Sequence, residues 1–381
     1  MKIVVAMDSL KGSLTSLEAG RAVQTGIERA MPDAKVCVRP LADGGEGTVE
    51  ALTLGMGGHM ETVLVTGPTG RSLECAYGMV GESGTAIVEM SGAAGITLVT
   101  EQERNPLNTT TFGVGEVIRD AIGKGCRHFI VGIGGSATND GGVGMLQALG
   151  FGMLDKNGAQ VSHGAKGLKD LVQITTTNVM PELKECSFRV ACDVTNPLCG
   201  EQGCSAIYAP QKGASPAMVT QMDQWLARYA ELAAQTFPKA NPDHAGAGAA
   251  GGMGFAFLTF TNAVLESGVR IVLEETRLEE YIRDADIVVT GEGRLDGQTV
   301  MGKAPIGVAR IAQQYGKPVL AFSGCVAPDA GACNSGGIDA YFPILRTVVT
   351  LEEAMRHDVA ERSMMAAAEQ VFRLVKRLRQ A

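Results

Sequence analysis

A chain of 381 residues that is 45% hydrophobic and 19% charged carries more apolar material than one core uses, because single cores stop growing at roughly 250–300 residues. Its formal net charge of -8 excludes a general attraction to nucleic acid or to an anionic membrane surface, so any phosphate must be held by a local site. The nine cysteines are an odd number in a long chain with no CxxC pair, which reads as the reducing cytoplasm.

In chain order, residues 3–7 form an apolar run that Asp8 ends too early for a signal peptide, and they predict a buried strand. The loop Asp8-Ser9-Leu10-Lys11-Gly12-Ser13 follows. Then comes a helix in which Thr15 and Glu18 are spaced as a capping box and Ala19, Ala22, Val23 and Ile27 form an inward stripe. Residues 35–41 read as a second strand, which ends at Asp43-Gly44-Gly45-Glu46-Gly47 before another helical stretch. Residues 61–66, 73–79 and 85–90 alternate as hairpin strands do, whereas 129–133 and 189–192 are short apolar runs of the parallel type. The stretch 245–265 is uncharged for 21 residues, but its first half is Gly and Ala and it holds Thr259, Thr261 and Asn262. It predicts a glycine loop running into a buried helix, not a membrane span. Residues 286–290, 318–323 and 340–344 again look like core strands. The expected fold is α/β: a doubly wound parallel sheet built from 1–61 and 284–381, with a second α/β domain, 62–283, inserted in it.

In a parallel sheet ligands gather at the carboxyl ends of strands, so charged loops at those ends are the candidates for chemistry. Asp8 and Lys11 offer a proton acceptor and a point cation, although Asp8 or Ser13 also suits a helix cap. Asp43-Gly44-Gly45-Glu46-Gly47 offers two acids and a backbone open to a ligand, or simply a turn before a helix. Gly132-Ile133-Gly134-Gly135-Ser136-Ala137 satisfies GxGxxA, with Asp155 at a ribose-contact spacing. Yet Thr138-Asn139-Asp140-Gly141-Gly142 resists helix until about Val143, which favours a longer nest of backbone N–H groups suited to nucleotide phosphates. Residues 297–304 fit GxxxxGK but end in Ala304 where a P-loop has Ser or Thr, so the standard P-loop is rejected. Lys303, just before Pro305, still offers a cation at a helix start. Glu292, Arg294 and Asp296 lie in a loop after the strand 286–290, and Asp193 follows 189–192; such oxygens suit Mg²⁺, or equally a turn. No HExxH, GxSxG or protein-kinase motif is present.

Six of these loops, in this order, resemble the type-1 glycerate kinase family, and within it the enterobacterial glycerate 2-kinases: 8–13, 43–47, 134–142, 193–198, 291–296 and 302–305. The resemblance implies a Rossmann-like domain with a second domain inserted in it, and ATP-dependent phosphorylation of D-glycerate to 2-phosphoglycerate with Mg²⁺, in glucarate, galactarate and glyoxylate catabolism, at the cleft between the two. Under it, Asp8, Lys11, Asp43 and Asp193 are the expected catalytic residues, with Asp8 or Asp43 as the base. Ser9, Gly44, Gly45, Glu46 and Arg71 are expected on the substrate. Gly134, Gly135, Ser136, Asn139, Asp140 and Lys303 are expected on the nucleotide, and Asp193, Glu292 and Asp296 are metal-ligand candidates. The expected partners are glycerate and ATP, with neither nucleic acid nor membrane; homo-oligomerisation stays open. An NAD(P)-dependent oxidoreductase and a non-catalytic sugar-acid binder are the alternatives.

Overall fold

The computed structural model describes residues 1–42 and 47–380. The loop residues Asp43, Gly44, Gly45 and Glu46 therefore lie outside the described residues. The chain forms two compact units: Met1–Asp43, Leu54–Met56 and Val269–Ala381 make one, and Gly44–Thr53 with Gly57–Gly268 make the other.

The first unit is a five-stranded parallel sheet in the order Ala340–Pro343, Val319–Val326, Ile287–Leu295, Lys2–Met7, Lys35–Val38. Counted along the chain this is 5-4-3-1-2, so the winding reverses between Lys2–Met7 and Ile287–Leu295. Ile3, Val5 and Met7 alternate toward a core shared with the helices Ser16–Ala30 and His357–Gln380. The expected capping box starts the first of these: Thr15 Oγ1 accepts from Glu18 N while Thr15 N donates to a Glu18 carboxylate oxygen at 2.9 Å. Gly26 lets the two helices touch, since a Cβ there would lie 2.3 Å from Met365 O and 2.9 Å from Ala368 Cβ.

One difference from the sequence reading bears on the site. The strand expected to end near residue 290 runs on to Leu295, pairing Arg294 with Cys325 and Leu295 with Val326. Gly291 and Gly293 hide this extension because glycine has low strand propensity. Glu292 and Arg294 thus project from a strand, not from the expected loop.

The second unit holds a six-stranded sheet, ordered Ala263–Glu266, Ser187–Ala191, His128–Gly132, Thr85–Glu89, Ser72–Val80, His59–Thr66. The first four run parallel, and the last two add antiparallel strands at the edge. Phe129, Phe188 and Phe257 stack through its core, with centroids 4.8 Å and 5.6 Å apart. Phe257 belongs to Ala249–Phe260, the buried helix inside the uncharged stretch, which is broken near its start by Ala250, Gly251 and Gly252 in left-handed conformations. Among the described residues no helix is long and apolar enough to cross a membrane.

The Gly26 contact gives a direct check of the first unit. Gly26→Val forces the helix backbones apart and should destabilise the unit by about 1–3 kcal/mol, as overpacking does. Urea unfolding should show an earlier midpoint for helix loss.

Candidate active site

The reversal of winding in the first unit leaves a crevice beyond the carboxyl ends of Lys2–Met7 and Ile287–Leu295, the place where open α/β sheets bind ligands. A cavity of about 680 Å³ lies there. Asp8, Ser9, Lys11, Ser13, Glu292, Arg294, Asp296 and Lys303 line its polar side. Leu345, Val349, Leu351 and Met355 supply an apolar wall.

Backbone pairing fixes these groups. Met7 is in register with Gly291, and Asp8 N donates to Gly291 O at 2.8 Å, so Asp8 leaves its strand beside Glu292, which is still within its own. Asp8 is buried, and its Oδ1 accepts from Ser9 N at 2.7 Å. Glu292 is buried as well. Its Oε1 accepts from Thr299 Oγ1 at 2.7 Å and its Oε2 from Lys303 Nζ at 3.4 Å. Burial pushes the Glu292 pKa above the ordinary carboxylate value, against the downward pull of the Thr299 hydroxyl and the Lys303 ammonium. Asp296 faces Lys303 at 3.9 Å and Arg294 at 3.4 Å, and its Oδ1 accepts from Gln298 N and Thr299 N. Lys303 precedes the helix Ala304–Gln314, whose Pro305 fits the first turn. The Ser13 hydroxyl, at the cavity wall, is a buried oxygen with no hydrogen-bond partner among the described residues.

Among the described residues no group of three or more His, Cys, Asp or Glu side chains is arranged to hold a metal ion. Glu292 and Asp296 fit instead the sparse protein contribution typical of Mg²⁺, in which one or two carboxylates act and phosphate and water complete the shell. The third metal candidate, Asp193, belongs to the second unit, where it is exposed and its Oδ1 accepts from Gly268 N at 3.3 Å.

In the second unit the loop 133–142 leaves the strand His128–Gly132, and the next helix begins only at Val143, as the sequence suggested. This is not the geometry of a dinucleotide turn, which opens a helix at once. Asp155, the ribose candidate of that reading, has its Oδ1 engaged by Asn157 N and Ala159 N at 2.8 and 2.9 Å. Gly134 and Gly135 form an exposed tip, where Gly135 takes φ 72°. Below the tip the loop turns inward. Ser136 is 9% exposed, and Thr138, Asn139 and Asp140 are all but fully buried. Asn139 Nδ2 donates to Ser205 Oγ at 2.8 Å. The Asp140 carboxylate accepts from Thr111 N, Thr111 Oγ1, Gly142 N and Gly144 N at 2.9–3.3 Å. Desolvation raises the Asp140 pKa while these donors hold it down. Asn139 and Asp140 therefore brace the loop from inside, and the Gly134–Gly135 tip is the part that meets solvent, with Ser136 at its buried base. Arg71 is in an exposed turn of this unit with its guanidinium paired to Glu103.

Sequence reading missed Lys212. It is 2% exposed, and its Nζ donates to Ser136 Oγ at 2.7 Å and to Thr138 O at 2.6 Å. A lysine in Pro210-Gln211-Lys212-Gly213 reads as a solvated turn residue, and only the tertiary pairing reveals it.

Asp140→Asn should expose the worth of the bracing. The amide would set an N–H₂ against backbone donors, at a cost of about 1–3 kcal/mol for unsatisfied buried groups. A lowered melting temperature, with near-native circular dichroism below it, is the expected result.

The model of the glycerate kinase family matches residues 3–376. A glycerate kinase of Haemophilus influenzae is 47% identical over 375 residues, covering 98% of this chain and 99% of that one. The glycerate 2-kinase of Escherichia coli K12 is also 47% identical, over 93% of each chain. A crystal structure from Salmonella typhimurium LT2, provisionally assigned as glycerate kinase 2, superposes with a TM-score of 0.92 at 45% identity over the whole of both chains. With a family match across nearly its full length and relatives this similar, the chain belongs to the glycerate kinase family.

Proposed function

We propose that this chain transfers the γ-phosphoryl group of ATP to the 2-hydroxyl of D-glycerate, giving 2-phosphoglycerate and ADP. The observation that carries the reading is the cavity at the winding reversal of the first unit, where a buried acid, Asp8, stands beside Glu292, Asp296, Lys303, Arg294 and Lys11. Phosphoryl transfer asks for little else, since its catalysis is mostly positioning and charge neutralisation. At about 680 Å³ the cavity is in the range that holds a drug-sized ligand, so a three-carbon acid leaves room beside it for the phosphoryl group.

Asp8 is the general base. As the substrate oxygen bonds to the γ-phosphorus, its proton passes to the Asp8 carboxylate, and the bond to the bridging oxygen breaks with the electron pair leaving on ADP. Lys11 and Arg294 supply cations for the substrate carboxylate and the moving phosphoryl oxygens. Glu292 and Asp296 are the side chains that would hold Mg²⁺, which when bound would supply charge neutralisation for the phosphates. Lys303, paired with both acids, sets how much negative charge they present. In the second unit the Gly134–Gly135 tip and Ser136 offer donors to nucleotide phosphates. Asp43 remains the alternative base, and Arg71 and Asp193 keep their expected substrate and metal roles as part of this reading.

Purified protein with ATP, Mg²⁺ and D-glycerate should release ADP and yield a product whose phosphorus NMR spectrum matches 2-phosphoglycerate. Absence of glycerate-dependent ADP sinks the activity, and a 3-phosphoglycerate spectrum sinks the regiochemistry. Asp8→Asn should lower kcat by about 10²- to 10⁴-fold with the fold intact. Wild-type turnover in that variant removes Asp8 as the base.

A further inference from the structure

Lys212 is an expensive residue for its position. It sits at the end of the short turn Pro210–Lys212, and Gly213 follows at φ 94°, where a Cβ would lie 2.2 Å from Arg104 O. That fixed turn drives the ammonium beneath the loop 133–142. Both of its acceptors, Ser136 Oγ and the carbonyl of Thr138, are neutral, and neutral acceptors do not repay the desolvation of a buried charge. The titratable groups acting on it are Cys204, on the helix Cys204–Tyr208, and Asp140. Burial lowers the Lys212 pKa to about 8. Burial also raises the Cys204 pKa, to about 12, so this thiol stays neutral near pH 8 and supplies no counter-charge there. Nearby Thr138 Oγ1 and Asn139 Oδ1 are buried and have no hydrogen-bond partner among the described residues.

The geometry at Ser136 gives the charge a purpose. Because the ammonium donates to Ser136 Oγ, the hydroxyl keeps its own hydrogen for another acceptor. Ser136 is the loop residue directly below the exposed Gly134–Gly135 tip. We propose that Lys212 is a positioning residue for the nucleotide phosphates, acting through Ser136: it turns the serine hydroxyl into an outward donor and sets a buried positive charge behind the tip. The inference rests on the reading of this loop as the nucleotide phosphate site.

The test compares Ser136→Ala, Lys212→Met and Gly134→Glu with the wild type. Readouts are Kd for MgATP, KM for ATP and for D-glycerate, their pH profiles, and the melting temperature. Gly134 is exposed with open space where a Cβ would lie, so a glutamate there adds charge without a clash. Ser136→Ala should raise KM and Kd for ATP by about tenfold, the worth of a hydrogen bond to a charged group, with KM for glycerate and the melting temperature little changed. Lys212→Met should go further in the same direction. In the wild type KM for ATP should climb as pH rises through about 8, where the ammonium loses its proton. Lys212→Met should lack that climb, whereas a merely structural lysine would not produce it. If Lys212→Met fails to fold, the Ser136→Ala split between the two KM values decides. Unchanged ATP binding in Ser136→Ala and in any folded Lys212→Met, beside weakened binding in Gly134→Glu, overturns the role of Lys212 and leaves the loop reading standing. Unchanged ATP binding in all three overturns the loop reading itself.

Discussion

The backbone pairing of Lys2–Met7 with Ile287–Leu295 is the constraint on which the first-unit site depends. It joins segments from opposite ends of the chain, Ile3 with Ile287 and Met7 with Gly291, and it sets the reversal of winding that opens the crevice. Gly291 is what allows it. A Cβ there would lie 1.8 Å from Phe322 O and 2.6 Å from Met7 Cε, so any side chain would push apart the strands that deliver Asp8 and Glu292. Asp8 gains its place from the last bond of this ladder, Asp8 N to Gly291 O.

Once placed, the acids must be kept from repelling one another and an anionic ligand. The chain does this with local cations and hydroxyls. Lys303 reaches both Glu292 and Asp296, Arg294 reaches Asp296, and Thr299 serves Glu292 by its hydroxyl and Asp296 by its amide. The negative net charge of the chain is thus compatible with a cavity that receives phosphate, because the field inside is set by these near pairs and not by the distant surface.

Local chemistry was legible in the sequence wherever one segment suffices to determine it. The Thr15–Glu18 box, the helix delayed to Val143 and the buried reading of 245–265 all depend on residues a few positions apart. Strand ends were harder, since the extension through Gly291, Glu292 and Gly293 is enforced by pairing with Val319–Val326 and not by the propensity of its own residues. The site divides the same way. Asp8, Glu292, Asp296 and Lys303 stood out because charged residues cluster at strand ends and before a proline. Asn139 and Asp140 stood out too, but no local signal shows that Ser205 and Thr111 draw them inside. Lys212 was invisible, because its partners lie more than 70 residues away.

Two lysines show how differently one cation is used in the two units. Lys303 is partly exposed and faces carboxylates, so its charge is matched, and a screened pair of this kind adds little stability. What it changes is the potential felt by a ligand in the cavity. Lys212 is buried against neutral oxygens, so it weakens the fold as long as it stays protonated. Because folding lowers its pKa from 10.5 to about 8, the penalty is full below about 8 and fades as pH rises toward 10.5. A methionine of similar length would fill the space without that cost, so packing alone does not account for a lysine beneath the loop. An anion at the tip would add to the pull that Asp140 already exerts on the ammonium, recovering in the bound state part of what desolvation takes in the free one.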